Sequence, residues 1–473
     1  CAVLLQSFPT QVFIKSSAQY TAWDASFWSQ QQAAVQPACA FQAAKAQEVA
    51  GSVLLSRLTQ CPFAVKSGGH AAFTGSSNIQ NGLTIDLQFL NSTTLSNDNT
   101  IARVGPGNRW VDVYSWLETH NLTAIGGRVA DIGVGGLTLG GGVSFFSAAH
   151  GWACDNVQNY ELVTADANIL QVNLNSYPDL YWALRGGGNN FGIVTRFDLI
   201  TYPQGLMWGG AVIYTIDKQS ALIDAFVKFG NDVSQDTKAA IIVSFIYFSG
   251  QEISISSLEY SDPVTTYPSI FQNFKAIPAV SDTTAVQSLS QITKEFKVDN
   301  PDGLRESYWT FTCKLDADYL TFLTDLFFTE INPIKGVLGV LPVLVLQVIP
   351  TSTIKQMQKN GGNALGLNPS DGPLVLLNLA FRWASPQDDN AIYSTIGKIT
   401  ADAIAEAKKR GVFNQYLYMN YASQFQDVIA GYGPVNSQRL IDISQKYDPK
   451  QVFQKLQPGY FKLKGAPDPN YPS

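Results

Sequence analysis

Charge is what this sequence has least of. Only 14% of its 473 residues are Asp, Glu, Lys or Arg, against about 25% in an average soluble protein. A disordered chain, a coiled coil or a nucleic-acid-binding domain would each need many more charges, and the net charge of −6 points away from a polyanionic partner. Histidine is scarcer still, at three residues, and the five cysteines and these histidines show no CxxC, HExxH or HxH spacing, so no metal site is expected. Long apolar runs are missing too. The longest, Gly336 to Ile349, spans 14 residues and is broken by Pro342 and Gln347, whereas a membrane helix needs about 20. Methionine occurs only at 207, 357 and 419, and the first residue is Cys1. Together with the sequons Asn91-Ser92-Thr93 and Asn121-Leu122-Thr123, this sets the expectation of a secreted, monomeric chain, trimmed of a signal peptide and N-glycosylated at Asn91 and Asn121. Cys1, Cys39 and Cys61 crowd near the start, which predicts one disulfide among them without choosing the pair.

What the sequence does have is glycine, 38 residues, and aromatics, 12%. From Phe41 to Tyr202 short strands alternate with glycine-rich turns: helical spacing from Gln42 to Thr59, strands at Phe63 to Lys66, Leu83 to Leu87 and Ala102 to Val104, and a helix at Trp110 to Glu118. One strand is expected from Tyr160 to Val172 and another from Gly192 to Tyr202, around a helix at Pro178 to Leu184. From Met207 to Arg410 long alternating strands, at Gly210 to Ile216, Ala239 to Phe248, Trp309 to Leu315, Val343 to Ile349 and Leu374 to Trp383, are interleaved with amphipathic helices at Gln219 to Gly230, Asp316 to Glu330 and Asp388 to Lys409, the pattern of an antiparallel sheet backed by helices. From Gln415 the first texture returns, with an aromatic strand to Tyr421 and a helix at Ser437 to Lys446. The expected organisation is α+β: a first domain split into 1–205 and 411–473, with 206–410 inserted.

The densest glycine segment, Gly126 to Gly142, has eight glycines in 17 residues. Backbone this bare can approach a ligand closely and present a row of N–H groups to a pyrophosphate. A dinucleotide GxGxxG would need glycine at 138 after Gly133 and Gly135, but Thr138 is there, and no GxxxxGK occurs. Four segments stand together instead: Val65-Lys66-Ser67-Gly68-Gly69-His70; Gly133-Val134-Gly135-Gly136 running into Gly140-Gly141-Gly142; Gly151-Trp152-Ala153-Cys154-Asp155-Asn156-Val157; and Leu184-Arg185-Gly186-Gly187-Gly188-Asn189-Asn190-Phe191-Gly192-Ile193-Val194. With Tyr418-Met419-Asn420, Tyr432-Gly433, Arg439-Leu440 and Tyr447-Asp448-Pro449 at the far end, their order resembles the FAD-binding domain of the vanillyl-alcohol oxidase and p-cresol methylhydroxylase type, and more narrowly the berberine-bridge-enzyme-like oxidases.

The resemblance implies an FAD cofactor, with Ser67, Gly68, Gly69 and His70 around the pyrophosphate and His70 bonded to the flavin 8α carbon. It places Ile132, Gly133, Gly135, Gly136, Gly141, Gly142 and Val143 along the flavin and diphosphate, Ile193 and Val194 on the adenine side, and Tyr418 and Asn420 at the isoalloxazine. Two departures matter. The cysteine that many relatives bond to flavin C6 is Val129 here, which cannot form a thioether, so a single histidyl link is expected. The tyrosine that often follows the GGG triplet is Val143, which leaves Tyr418 as the candidate base beside Asn420, with Arg382 as its candidate cationic neighbour. Histidines 120 and 150 read as surface or packing residues. The implied reaction oxidises a hydroxyl to a carbonyl, with O2 reduced to H2O2; scarce charge and the many Leu, Val and Ile of the inserted strands, rather than the resemblance, point to a bulky, apolar alcohol or secondary metabolite as substrate. The residue beside GVGG, often a gate for oxygen, is Ile132, so a dehydrogenase is an alternative, as are an oligosaccharide oxidase and a flavin-binding protein with little activity. Tyr308, Trp309, Phe311, Phe381 and Trp383 offer either sugar-stacking faces or core.

Overall fold

A computed structural model of the chain describes residues 1–15 and 17–470. The first of its three sheets orders the strands Val12–Ile14, Cys39–Gln42, Leu83–Asp86 and Phe63–Lys66, the last three mutually parallel. Parallel strands need a crossover, and the helix Ala46–Thr59 makes the one from Cys39–Gln42 to Phe63–Lys66, which flank Leu83–Asp86, burying Val49 and Val53 against the sheet. Of the three candidate cysteines, Cys1 and Cys39 form the disulfide, and Cys61 is free.

The second sheet is antiparallel, in the order Thr93–Leu95, Ile101–Val104, Ile193–Pro203, Val157–Val163, Ile169–Asn173, with Leu122–Ala124 beside the end of Ile193–Pro203. Where one strand was expected from Tyr160 to Val172, the chain reverses: Thr164 N–H donates to Asn168 O at 2.9 Å, and Ala167 sits at φ 61°. Trp110–Glu118 and Pro178–Leu184 are helices that bury Trp110, Tyr114, Leu117, Leu180 and Leu184 in the same core.

The third sheet has nine strands between Met207 and Asn414, all antiparallel, centred on Gln251–Tyr260, Ala239–Phe248, Leu341–Ile349, Leu374–Trp383 and Arg305–Lys314 in that spatial order. Its last strand, Phe413–Asn414, lies beyond the expected boundary at 410 and pairs with Arg305–Lys314. Strand alternation divides its side chains between two faces. One packs on the helices Gln219–Asp232, Ala317–Glu330 and Asp389–Lys409 and takes Val243, Phe245, Trp309, Phe311, Phe381 and Trp383. Four of the five aromatics named as possible sugar platforms are therefore core; only Tyr308 turns the other way, toward the opposite face.

That opposite face looks toward the first domain, which the chain re-enters after Asn414. Tyr416, Tyr418, Tyr432, Leu440 and Phe461 join the core of the second sheet, and Asn190 Nδ2 donates to Phe461 O at 3.0 Å across 271 residues of sequence.

Among the described residues, no helix is long and apolar enough to cross a membrane, and no group of three His, Cys, Asp or Glu is placed to hold a metal.

Candidate active site

A cleft of about 560 Å³ lies between the free face of the third sheet and the glycine loops of the first domain. Ser67, Gly68, Gly69, His70, Ile132, Gly133, Gly135, Gly136, Val143, Ile193, Val194, Arg382, Tyr418 and Asn420 all line it. Gly141 and Gly142 do not. Both have positive φ, 114° and 87°, and a Cβ on them would meet Trp152 and Ala153 respectively. They make the turn that carries Val143 into the cleft, a conformation side chains resist, and they touch no ligand space themselves.

Two glycine loops cross at the floor. A Cβ on Gly68 would come within 2.5 Å of Gly133 N, and one on Gly133 within 2.4 Å of Gly68 N, so neither position admits a side chain without backbone movement. Ser67 holds the crossing: its hydroxyl donates to Pro106 O at 2.6 Å and accepts from Gly135 N–H at 3.2 Å. Beyond it, the N–H groups of Gly68, Gly69, His70 and Ala71 meet no acceptor among the described residues, although Gly68 and Gly69 are buried. Buried backbone donors are almost always satisfied. Four in succession without a partner, in a loop lining a cleft, form a cradle for an anion. That is the fit an FAD pyrophosphate requires.

His70 closes the cradle. Its ring stacks on Trp28 with centroids 4.1 Å apart, and its Nε2 lies 3.6 Å from Asp131 Oδ1. Burial alone would raise the Asp131 carboxyl, but the facing imidazole and the Lys297 ammonium, 2.5 Å from Oδ2, outweigh it and hold the group well below the usual carboxylate range. The other two histidines take no part: His120 packs on Trp116, and His150 packs on Tyr202.

Tyr418 and Asn420 meet as expected, but not on a strand. The segment after Asn414 is extended only to Tyr418 and then makes a short helical turn, Met419–Tyr421. The Tyr418 hydroxyl oxygen accepts from Val143 N–H at 3.1 Å and from Asn420 Nδ2 at 3.0 Å. Asn420 Nδ2 also donates to Leu137 O at 3.0 Å. Burial, and next the neighbouring Tyr421, push the Tyr418 hydroxyl well above its ordinary value; this tyrosine keeps its proton. Tyr416, two residues before Tyr418, is buried in the core and does not line the cleft.

Arg382 is not the cation beside these tyrosines. It lines the cleft further out and donates to Asp299 O at 2.9 Å. The cation there is Arg128, which sequence reasoning passed over: its Nη2 donates to Tyr421 Oη at 2.7 Å and to Gln347 Oε1 at 2.6 Å. Gln347 Nε2 donates to the same Tyr421 oxygen at 3.2 Å. Two donors on the Tyr421 oxygen suit it to accept a proton from the cleft, with the charge of its phenolate form met by both.

From this polar end the wall is aliphatic. Ile242 and Ile246, Ile253 and Ile255, and Val343 and Val345 face the cleft from three adjacent strands, and Phe248 and Val298 stand exposed at its rim. Along one strand, Ile242 to Phe248 is about 20 Å at 3.3 Å per residue.

Residues 37–173 match the family described as FAD binding domain. The chain is 37% identical over 450 residues to the FAD-dependent monooxygenase FUP4 of Fusarium proliferatum, covering 92% of this chain and 87% of that one. It is 38% identical, with the same coverage, to the FAD-dependent monooxygenase tpcD of Cochliobolus heterostrophus. Among solved structures, the xylooligosaccharide oxidase of Myceliophthora thermophila superposes with a TM-score of 0.80 at 20% identity, covering 98% of this chain and 99% of that one. The 6-hydroxy-D-nicotine oxidase of Arthrobacter nicotinovorans gives 0.78 at 20% identity, covering 96% and 97%.

Proposed function

Because the chain belongs to the vanillyl-alcohol oxidase type of FAD-dependent oxidoreductases, with berberine-bridge-enzyme-like relatives in fold, we propose that it oxidises a hydroxyl group on a bulky apolar alcohol or secondary metabolite to a carbonyl. The observation that carries this reading is one hydrogen-bonded group, Tyr421 with Arg128 and Gln347, at the inner end of an aliphatic wall. FAD bound along the glycine loops would supply the two-electron acceptor and return to the oxidised state with O2, giving H2O2. Ser67, Gly68, Gly69, Gly133, Gly135 and Gly136 would hold it, with Ile193 and Val194 on the adenine side and a single covalent link from His70, Val129 being unable to form a second.

The protein's own work is positioning and proton transfer. Tyr421, acting as a phenolate whose charge is met by the Arg128 guanidinium and the Gln347 amide, takes the substrate hydroxyl proton and becomes neutral as it does so. Tyr418, held protonated and oriented by Val143 and Asn420, donates to the substrate oxygen and is no base. The aliphatic wall offers an apolar chain six branched side chains to pack on, with Phe248 and Tyr308 as rings at its margins. The exposed sequon asparagines and the Cys1–Cys39 disulfide support a secreted, glycosylated chain.

A second reading, oxygen insertion, rests on the printed names of the two fungal relatives. A panel of apolar alcohols, cello- and xylo-oligosaccharides, mixed anaerobically with the purified yellow protein, separates these readings. Bleaching by an apolar alcohol without NADPH, then one H2O2 per turnover on readmitting air, is expected. Bleaching only by sugars, or a requirement for NADPH with ¹⁸O entering the product, would overturn it.

A further inference from the structure

His70 Nε2 and Asp131 Oδ1 are both buried, neither has a hydrogen-bond partner among the described residues, and they face each other at 3.6 Å. A folded chain seldom leaves two complementary polar atoms that close and unpaired without use for a small displacement between them. The other carboxylate oxygen and the backbone that carries it are held in place. Lys297, from the helix Leu289–Val298 of the inserted domain, holds Oδ2 at 2.5 Å and is itself shared with Asp302 at 2.7 Å. The Arg109 guanidinium donates to Asp131 O, and Ala130 N–H donates to Thr293 O at 3.0 Å. The imidazole is confined by Trp28, stacked within 13° of parallel, so it can turn only in its own plane.

We propose that Asp131 is a positioning residue that readies His70 for covalent capture of the flavin. This rests on the histidyl link proposed above. By accepting from Nε2–H, the carboxylate fixes the proton on Nε2 and leaves the Nδ1 lone pair free as the nucleophile. In the attachment step a proton moves from the 8α methyl to the flavin ring, giving the exocyclic-methylene tautomer. The Nδ1 pair forms the N–C8α bond, and the displaced π electrons leave the ring two-electron reduced and anionic. The imidazole becomes cationic, its proton still on Nε2 against Asp131. Dioxygen then takes two electrons and a proton from the flavin and one proton from solvent, leaving as H2O2. Lys297 ties this device to the inserted domain: with the ammonium on Oδ2, only Oδ1 is left to meet the imidazole.

The tether dictates the test. In Asp131→Asn the side-chain oxygen must turn to Lys297, which presents the NH2 to His70 and selects the opposite tautomer, with the proton on Nδ1. Wild type, D131N, D131E, H70A and the double variant D131N/K297M are purified with bound flavin. After acid precipitation, protein-linked flavin is read by in-gel fluorescence and the mass of the His70 peptide, beside total flavin and Tm. The expected result is a linked fraction at least tenfold lower in D131N at unchanged total flavin and Tm. Recovery toward wild type is expected in D131E, and in D131N/K297M, where the amide is free to present its oxygen. A D131N chain linked as fully as wild type overturns the proposal, as does one that has lost FAD altogether, because Asp131 would then serve binding alone. Absence of linked flavin in the wild-type lane overturns the histidyl reading itself and is visible before any variant is compared.

Discussion

The guanidinium of Arg128 donates to the hydroxyl oxygen of Tyr421 at 2.7 Å, across 293 residues of sequence. The pair brings the loop before GVGG in the first domain to the turn after Tyr418, with Gln347 of the inserted sheet as the third member. If Tyr421 receives the substrate proton, Tyr421→Phe should lower the rate of anaerobic flavin bleaching by about 10²–10⁴-fold, the range of a general base. Flavin content should be unchanged. Arg128→Met should fall in the same direction by less, since it leaves the base and removes only the charge that supports it. Equal bleaching rates in wild type and Y421F would return the proton-transfer role to another group.

Asn420 leans on a glycine. A Cβ on Gly140 would lie 2.1 Å from Asn420 Oδ1, and Asn420 is hydrogen-bonded to Leu137 O and Tyr418. Gly140→Ala should therefore displace Asn420, cut the retained flavin severalfold and cost about 1–3 kcal/mol for each buried donor left unpaired. Absorbance at the flavin maximum against protein, with urea unfolding, reads both.

The reasons Tyr421 and Arg128 escaped sequence reasoning are physical. Aromatic alternation from Gln415 to Tyr421 resembles a strand, and a period of two puts Tyr421 on the opposite side from Tyr418. The chain instead turns helically at Met419–Tyr421, and a step of three returns Tyr421 to the Tyr418 side, with ring centroids 4.9 Å apart. Arg128 has no local signal at all, because its partners lie 219 and 293 residues away. The strand Gln251–Tyr260 was missed for a different reason: serines 254, 256 and 257 dilute its apolar count, although Ser254 and Ser256 are buried and Ser256 meets the Tyr214 hydroxyl at 3.1 Å. By contrast Trp110–Glu118, Pro178–Leu184 and Ala239–Phe248 carry undiluted periodicity and stand at the bounds read from sequence. The glycine loops were legible because crossing backbones admit no other residue.

The aliphatic wall gives a separable prediction. Ile255 faces the cleft beside Ser244 and Ile246, away from the tyrosines. Ile255→Asn should raise KM for a long apolar alcohol by about 10–200-fold, the usual range for a changed hydrophobic contact, with little change in kcat. A short alcohol that does not reach this strand should be unaffected. A uniform loss across chain lengths would mean that the substrate takes another path.

Cys1–Cys39 closes a loop over a sequence separation of 38, which in the chain-entropy account stabilises by about 4 kcal/mol. Cys1→Ser/Cys39→Ser should lower urea stability by about 2–4 kcal/mol while leaving bound flavin in place, since the bridge lies away from the cleft. Cys61→Ser should have no comparable effect.

Glu259 tests the interior electrostatics. It sits on the inserted sheet between Gly209 and Ala240 of the neighbouring strands, 1% exposed, and neither carboxylate oxygen has a hydrogen-bond partner among the described residues. Burial drives its pKa well above the carboxylate range, opposed by Arg128 and assisted by Glu295. The Glu259 proton is bound more tightly in the folded state than in the unfolded one. Its stabilising contribution is therefore complete below the unfolded value near 4.3 and falls as pH rises toward the folded value, at ~1.4 kcal/mol per pH unit. Glu259→Gln has no proton to lose. Its stability should decline less than that of wild type between pH 5 and 8, with the two curves diverging progressively in urea unfolding. Parallel curves would mean that Glu259 ionises in place, with Arg128 turned toward it and away from Tyr421, and the same variant would then also change the bleaching rate.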